Sequence, residues 1–433
     1  MAERPWKAAI AWMVCCSLLF LGVYNACNWI TTQRSNVGTW NFDWEFSIPF
    51  VPWMIVPYWS LDLFFVVSFF VCATRAELQV HGRRIVLAIL AAGTCFLIWP
   101  LKLAFPRPEV NGFLGLWFDA LRSFDQPHNL APSLHIALRT IIWPVIVPRT
   151  KGLWNLLARG WFILIGVSTL LTWQHQVLDV LAGWVLAIAC LHLEALGDEK
   201  CDRDFRVRSA RIGAYYTLGG ALLLAAAIAF WPWGCVLLWP CVALAVIAAG
   251  YLWLGSIVFR KRYGRLPFST KVLLGPVLVG HQLSLLYYQR QCRAWDEVVP
   301  GVLIGRKLST GEARKAVAQG VTAVLDLTTE FSEVGPFLQA RYYNIPLLDL
   351  TAPTQEQLRR GIEFVVAERE RGTVYVHCKI GYSRSAAVVG AYLIAAADVA
   401  SEEEAIERLR SVRPTIVARP EARRALEEFA AGR

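Results

Sequence analysis

Hydrophobic and polar positions divide this chain into two regimes. Up to about Ser256 the apolar residues form long runs separated by short clusters of charge. After Trp295 they form short runs set between helical stretches. A helix that crosses a bilayer needs roughly 20 predominantly apolar residues. Eight stretches fit that pattern: 6–30, 51–74, 84–105, 131–148, 153–172, 175–196, 213–230 and 235–256. The fourth is short and interrupted by Pro144 and Pro148, and the sixth carries His175 and Asp179 near its start. The first apolar stretch runs to Ile30 with no small-residue cleavage site to close it, so it reads as a retained span rather than a signal peptide. The segment Val272 to Tyr288 is moderately apolar and is expected to lie along the membrane surface, with a ninth span as the alternative.

The last third changes period. Strand-like runs fall at 301–304, 321–325, 342–345 and 373–376, and helical stretches at 310–319, 355–371, 384–397, 402–410 and 419–429. Such alternation predicts a mainly parallel sheet covered by helices. The expected organisation is a multi-spanning all-α membrane domain over 1–260, a membrane-associated linker over 261–294, and a soluble α/β domain over 295–433.

Composition agrees with this picture. Of 433 residues, 56% are hydrophobic and nineteen are Trp, too apolar for an ordinary soluble protein. The net charge of +10 is a property of loops. Arg75, Arg83 and Arg84, then Arg149 and Lys151, then the 200–211 cluster, and finally Arg260, Lys261, Arg262 and Arg265 all fall on one side of an eight-span topology, together with both termini. The positive-inside rule makes that side cytoplasmic. No basic tract with interleaved exposed aromatics is present, so nucleic acid is not an expected partner. Most of the eleven cysteines sit inside apolar runs, no CxxC pair occurs, and neither a metal nor another cofactor is expected.

The segment Val374 to Ser385 reads Val-Tyr-Val-His-Cys-Lys-Ile-Gly-Tyr-Ser-Arg-Ser. A strand delivers Cys378, a tight loop follows, and a helix begins near Arg384. The loop's N–H groups and the helix start form an anion cradle that lowers a thiol pKa. Arg384 is suited to a bidentate grip on phosphate. Gly381 lets the backbone turn close to a ligand. Ser385 is placed to hydrogen-bond the sulfur, and Lys379 adds charge at the cradle mouth. The run resembles the HC-x5-R-[ST] signature of the protein tyrosine and dual-specificity phosphatase superfamily, with His377, Cys378, Gly381, Arg384 and Ser385 matching, over about 295–429. The resemblance implies a dual-specificity phosphatase fold, a phosphocysteine intermediate, and an upstream general acid. Asp349 stands at the expected distance, and Asp326 is the weaker candidate. Arg413 and Arg419 are expected to be surface charges. Lys379 in His-Cys-Lys-x-Gly-x-Ser-Arg-Ser-Ala resembles members that act on lipid phosphates.

Three further clusters lie at the outer ends of spans: Lys102 with Arg107-Pro108, Pro132-Ser133-Leu134-His135, and His175 with Asp179. His175 and Asp179 are i and i+4 on one helical face, so the carboxylate can orient the imidazole. His175 is then a nucleophile toward phosphorus, His135 a proton donor to the leaving group, and Lys102, Arg107 and Ser133 bind phosphate oxygens. Residues 55–196 resemble the type 2 phosphatidic acid phosphatase superfamily. Leu134 stands where that family has Gly, Thr169 where it has a phosphate-binding Arg, and the Lys-to-Arg spacing is two shorter. The branch of sphingolipid head-group transferases, such as inositol phosphorylceramide synthase, shares the Pro-Ser-Leu-His form, so this site would hydrolyse or transfer lipid phosphate. His128 and Asn129 are expected to be solvated, and His81, His192 and His281 are assigned no role. The whole chain resembles a bacterial inner-membrane fusion family. That resemblance implies a multi-pass protein with cytoplasmic termini, a periplasm-facing membrane site and phospholipid substrates. The alternative is a membrane-anchored protein phosphatase with an inert membrane domain.

Overall fold

The computed structural model describes residues 4–35, 37–106, 108–124, 128–197, 209–230 and 233–432. They form two compact units, Met1–Asp198 and Glu199–Arg433. The first contains α1 (Trp6–Thr32), α2 (Ile55–Val71), α3 (Arg75–Ile98), α4 (Gly112–Phe124), α5 (Leu134–Ile146), α6 (Gly152–Leu171) and α7 (Val177–Gly197). The second opens with α8 (Ala210–Ala229), α9 (Leu238–Ala249), α10 (Phe268–Leu273) and α11 (Gly275–Tyr288). Its α/β part comprises β1 (Trp295–Val299), β2 (Val302–Gly305), α12 (Thr310–Ala318), β3 (Val321–Thr328), α13 (Gly335–Gln339), β4 (Arg341–Leu347), α14 (Gln355–Arg369), β5 (Thr373–His377), α15 (Arg384–Ala395), α16 (Glu402–Val412) and α17 (Pro420–Ala431).

Among the described residues six helical segments are long and apolar enough to cross a membrane: Trp6–Thr32, Pro52–Val71, Arg75–Ile98, Gly152–Leu171, Ala210–Ala229 and Leu238–Phe259. The expected fourth span is only the 13 residues of α5, with Pro144 inside it. At 1.5 Å per residue that is about 20 Å, short of the roughly 30 Å hydrocarbon core. Ser133 starts this helix late, because its Oγ accepts from Ile136 N (3.3 Å) as an N-cap. In α7 the apolar stretch is Val177–Leu193. The expected ninth span is the 14-residue α11, too short to cross.

The last membrane-length segment is bent. After α9 the backbone passes through one π turn, Gly250–Leu254, and Gly255 adopts φ +72°, a conformation that only glycine takes without strain. The chain folds back there, bringing Val258 against Gly250. Consequently α10 and α11 run beside α9: Trp239 Nε1 donates to Val272 O (2.9 Å) and Thr270 Oγ1 to Phe259 O (3.0 Å).

The sheet order is β1-β2-β5-β3-β4, parallel except for β1 on β2. Edge strand β1 and the short α13 are absent from the sequence expectation, because Trp295–Val299 has the charge of a linker and little alternation. The central β5 is buried on both faces: Val374 and Val376 pack with Val302, Ile304, Leu325 and Val388 on one, and Tyr375 packs with Val321, Val324 and Phe337 on the other. Capping boxes start α12 (Ser309/Glu312) and α14 (Thr354/Gln357). Central placement of β5 sets its C-terminal end, and the loop after it, at the crevice where parallel sheets bind ligands.

The segment joining α9 to α10 is built into the α/β part of the same unit. Lys261 Nζ reaches Asp326 (2.5 Å), Leu266 N donates to Ser332 Oγ (3.0 Å), and Glu333 N to Gly264 O (2.6 Å). Lys261 counted above as a cytoplasmic loop charge, yet its side chain is 1% exposed. The buried Asp326 carboxylate supplies the compensation that burying an ammonium requires.

Candidate active site

Cys378 leaves the end of β5 and is 4% exposed. Its Sγ accepts from Gly381 N (3.2 Å) and lies 3.5 Å from Ser385 Oγ. Gly381 has φ +79°, and a Cβ there would stand 2.6 Å from Gly305 O, so the loop closes only with glycine. Burial pushes the Cys378 thiol up, but the Arg384 charge and the hydrogen bonds from Ser385 and Gly381 outweigh it and hold the thiol below its ordinary value.

Arg384 is buried, and its guanidinium is already fixed. Nη1 donates to Leu347 O (2.8 Å) and Leu327 O (3.3 Å), while Nη1 and Nη2 together grip Glu330 (3.1 and 2.7 Å). Nη2 also donates to Asp349 Oδ1 (3.2 Å). Asp349 Oδ2 takes Lys379 Nζ at 2.7 Å. Burial raises the Asp349 carboxyl, but Arg384 and Lys379 overcome this and keep it below the usual carboxylate range. Thus Cys378, Arg384, Asp349, Ser385, Lys379 and Gly381 are brought to one place. A phosphate dianion there would draw Arg384 and Lys379 to itself and push the Asp349 carboxyl upward, toward the protonated form an acid needs.

Asp326 lies elsewhere. It is fully buried beneath the loop, accepting from Lys261, Tyr342 Oη (2.7 Å) and Thr328 N (2.8 Å). With Glu333 (3.1 Å from Nε2) it flanks His377. Burial disfavours the charged ring, but the two carboxylates raise the His377 pKa above its ordinary value.

The surface reading of Arg413 is overturned: it is 1% exposed. Its guanidinium donates to Gly381 O (3.2 Å) and Ile380 O (3.0 Å) and pairs with Asp296 (2.7 Å), so it braces the catalytic loop from behind. A charged residue after a predicted helix end looks like solvated charge, and only the fold brings 413 against 381. Arg419 is exposed.

Two residues near the site carry no signal in the sequence. Glu330 follows β3 directly, and no spacing ties it to Arg384. His281, assigned nothing above, lies on α11 with Nδ1 4.0 Å from Asp349 Oδ2. Burial lowers its pKa, helped by Lys379 and Arg384 against the pull of Glu330 and Asp349. Tyr251 Oη donates to the Asp349 carbonyl (2.7 Å), tying the loop that carries Asp349 to the segment after α9.

Thiol chemistry gives a direct check. Alkylation of Cys378 by iodoacetamide, followed by mass spectrometry of its peptide, is expected to show a midpoint below the ordinary thiol value of about 8.5. In Arg384→Gln the largest contribution opposing burial is lost and the midpoint moves up. A wild-type midpoint at or above the ordinary value would contradict the assignment of a thiolate.

In the first unit His135 and His175 line one cavity of about 150 Å³, with Tyr58 and Asp62 in its wall. His135 stacks on Tyr58 (4.1 Å between centroids), and neither His135 Nε2 nor His175 Nδ1 has a hydrogen-bond partner among the described residues. His175 Nδ1 is 3.6 Å from Asp179 Oδ2, which accepts from Gln176 N (2.9 Å). Glu45, not singled out in the sequence, accepts from Val177 N (2.9 Å) and holds the start of α7. Ser133 caps α5, and Lys102 is exposed and not in the cavity lining. Arg107 lies outside the described residues. Asn129, expected in solvent, is 4% exposed, lines the cavity, and donates from Nδ2 to Tyr24 O (2.9 Å).

A cysteine at the end of a central parallel strand, a glycine-turned loop and an arginine at the following helix start define a cysteine-dependent phosphatase. The family model for the catalytic domain of dual-specificity phosphatases matches residues 304–431. Phosphatidylglycerophosphate phosphatase PTPMT2 of Arabidopsis thaliana is 30% identical over 166 residues, 37% of this chain and 72% of that protein. Phosphatidylglycerophosphatase and protein-tyrosine phosphatase 1 of Homo sapiens is 32% identical over 152 residues, 32% of this chain and 75% of that protein. Its Rattus norvegicus counterpart is 45% identical over 84 residues, which span 19% of this chain and 43% of that protein. By its C-terminal domain the chain belongs to the dual-specificity phosphatase family, and it is a phosphatase.

Proposed function

We propose that this protein is a membrane phosphatase that removes the head-group phosphate of a phospholipid through a phosphocysteine intermediate. The observation that carries the reading is the pairing of Asp349 with both Lys379 and Arg384 beside Cys378 Sγ, in a compact unit that also holds two membrane-length helical segments. The relatives named above as phosphatidylglycerophosphate phosphatases support it.

In this reading the Cys378 thiolate attacks phosphorus in line with the ester oxygen. Arg384 turns from Glu330 to two phosphate oxygens, and the loop N–H groups hold the third. Asp349 protonates the departing alkoxide, so the lipid leaves as an alcohol. Water then attacks the phosphocysteine, Asp349 takes its proton, and Ser385 Oγ–H stabilises the returning thiolate. Lys379 adds positive charge for a multiply anionic head group. The domain faces the cytoplasm, on the side of the basic loops.

The cavity shared by His135 and His175 supports a second, separate chemistry. His175, oriented by Asp179, attacks lipid phosphate, and His135 protonates the leaving group. This site faces the periplasm of a bacterial inner membrane and hydrolyses or transfers lipid phosphate.

The test is phosphate release by full-length protein in mixed micelles. Phosphatidylglycerophosphate, a phosphatidylinositol phosphate, phosphatidic acid and a phosphotyrosine peptide are compared. Lipid monoester hydrolysis is expected in wild type and in His175→Ala, and not in Cys378→Ser. Activity confined to the peptide would favour the anchored protein phosphatase, and loss only in His175→Ala would move the monoester chemistry to the membrane site.

A further inference from the structure

The pocket above Cys378 is larger than a phosphate needs. It encloses about 750 Å³, toward the upper part of the usual range for small-molecule sites. Its floor is Cys378, Lys379, Arg384 and Asp349. Its opposite wall comes from helices outside the α/β fold: Tyr216 of α8, Pro240 and Leu244 of α9, and Pro276, Val277 and Gly280 of α11. Apart from Tyr216 Oη these side chains are apolar, and further along α11 the lining continues through His281, Ser284 and Tyr288 toward the polar floor. The wall is held in place by the stacked rings of Tyr216 and Tyr251 (5.5 Å, 12° between planes) and by the Tyr251 bond to the Asp349 carbonyl.

The outer surfaces of the same helices are unusually apolar. Leu218, Leu222 and Ile228 of α8 are 58–63% exposed, and Val279, Leu283 and Tyr287 of α11 are 59–62% exposed. An exposed apolar band of this kind is at home in hydrocarbon rather than in water. The pocket is therefore polar at one end, where the thiolate and cations sit, and bounded at the other by segments with a bilayer-facing exterior. A soluble phosphopeptide would leave that wall unused.

We propose that this wall is the lipid-binding half of the active site, taking the glycerol backbone and first acyl methylenes of a diacyl phospholipid monoester while its phosphate lies on Cys378. The inference rests on the lipid-phosphatase reading and deepens it: α8, α9 and α11 are parts of the catalytic site, and the substrate is cleaved without leaving the membrane surface. Selectivity for lipid over soluble phosphate esters then comes from these helices, because binding energy from a remote apolar part of the substrate orients the reacting phosphate.

Gly280 offers the cleanest probe, since a side chain there would meet nothing within 4 Å of its Cβ and would project into open space. Full-length Gly280→Phe, and Leu244→Trp from the facing wall, are assayed in mixed micelles of dioleoyl phosphatidylglycerophosphate and, in parallel, with p-nitrophenyl phosphate. The quantity read is the ratio of kcat/KM for the lipid to kcat/KM for the soluble ester, which is insensitive to a change in folded fraction. Each variant is expected to lower that ratio by about tenfold or more, the scale of discrimination an apolar pocket supplies. An unchanged ratio in both variants, with wild type hydrolysing the lipid, overturns the proposal and leaves the lipid-phosphatase reading standing. Absence of lipid hydrolysis in wild type overturns both.

Discussion

Cys378→Ser is expected to lower phosphatase turnover by about four orders of magnitude or more, the scale of removing a covalent nucleophile. The substitution is nearly isosteric, and the surrounding hydrogen bonds, from Gly381 N and Ser385 Oγ–H, suit an oxygen as well as a sulfur. The fold should therefore persist. What is lost is ionisation. Arg384 and the loop N–H groups bring a thiol below its ordinary value, but the same field cannot ionise an alcohol at neutral pH. Steady-state phosphate release checks this, with circular dichroism to confirm folding. Residual activity within tenfold of wild type would mean that the nucleophile lies elsewhere.

Asp349→Asn should cost about 10²–10⁴ in kcat on an alkyl phosphate such as a lipid. The loss should be much smaller on p-nitrophenyl phosphate, whose leaving group needs no proton. The pH profile carries the sign. Productive enzyme needs an ionised Cys378 and a proton on Asp349. Activity rises with pH as thiolate forms, then falls once the Asp349 proton is gone. Asn has no proton to titrate, so the descending limb disappears and the ascending limb stays. Because Arg384 and Lys379 hold the free carboxyl low against burial, the wild-type optimum lies on the acid side of neutrality. A variant that keeps the wild-type descending limb would place the acid on another residue, with His281, 4.0 Å away, the first to examine.

The parts of the site legible in the sequence are those written by local geometry. A strand, one cysteine, a glycine at the turn and an arginine at the next helix start occupy Thr373 to Ser385, and twelve or so residues of backbone largely fix their mutual positions. Likewise, His175 and Asp179 at i and i+4 face one way on any helix. Apolar run length marked the six membrane-length segments, though it overstated α5, where a buried cap at Ser133 starts the helix late, and α7, whose apolar stretch is only Val177–Leu193.

The parts that stayed hidden depend on contacts between distant stretches. Glu330 and Arg384 are 54 positions apart, Arg413 and Gly381 32, and Tyr251 and Asp349 98. Whether a charged side chain is solvated, as expected of Arg413 and Lys261, or buried against a partner is decided by what the fold sets opposite it, which no local pattern encodes.

By itself, then, the sequence determined that this is a chain of membrane-length helices followed by a cysteine phosphatase, because hydrophobic period and the Cys–Gly–Arg spacing are local properties. Tertiary structure alone decided which charges hold the catalytic loop and that α8, α9 and α11 wall the pocket above Cys378. Those arrangements arise where the backbone turns at Gly255 and lays separate segments together, and burial and long-range pairing have meaning only after that turn is made.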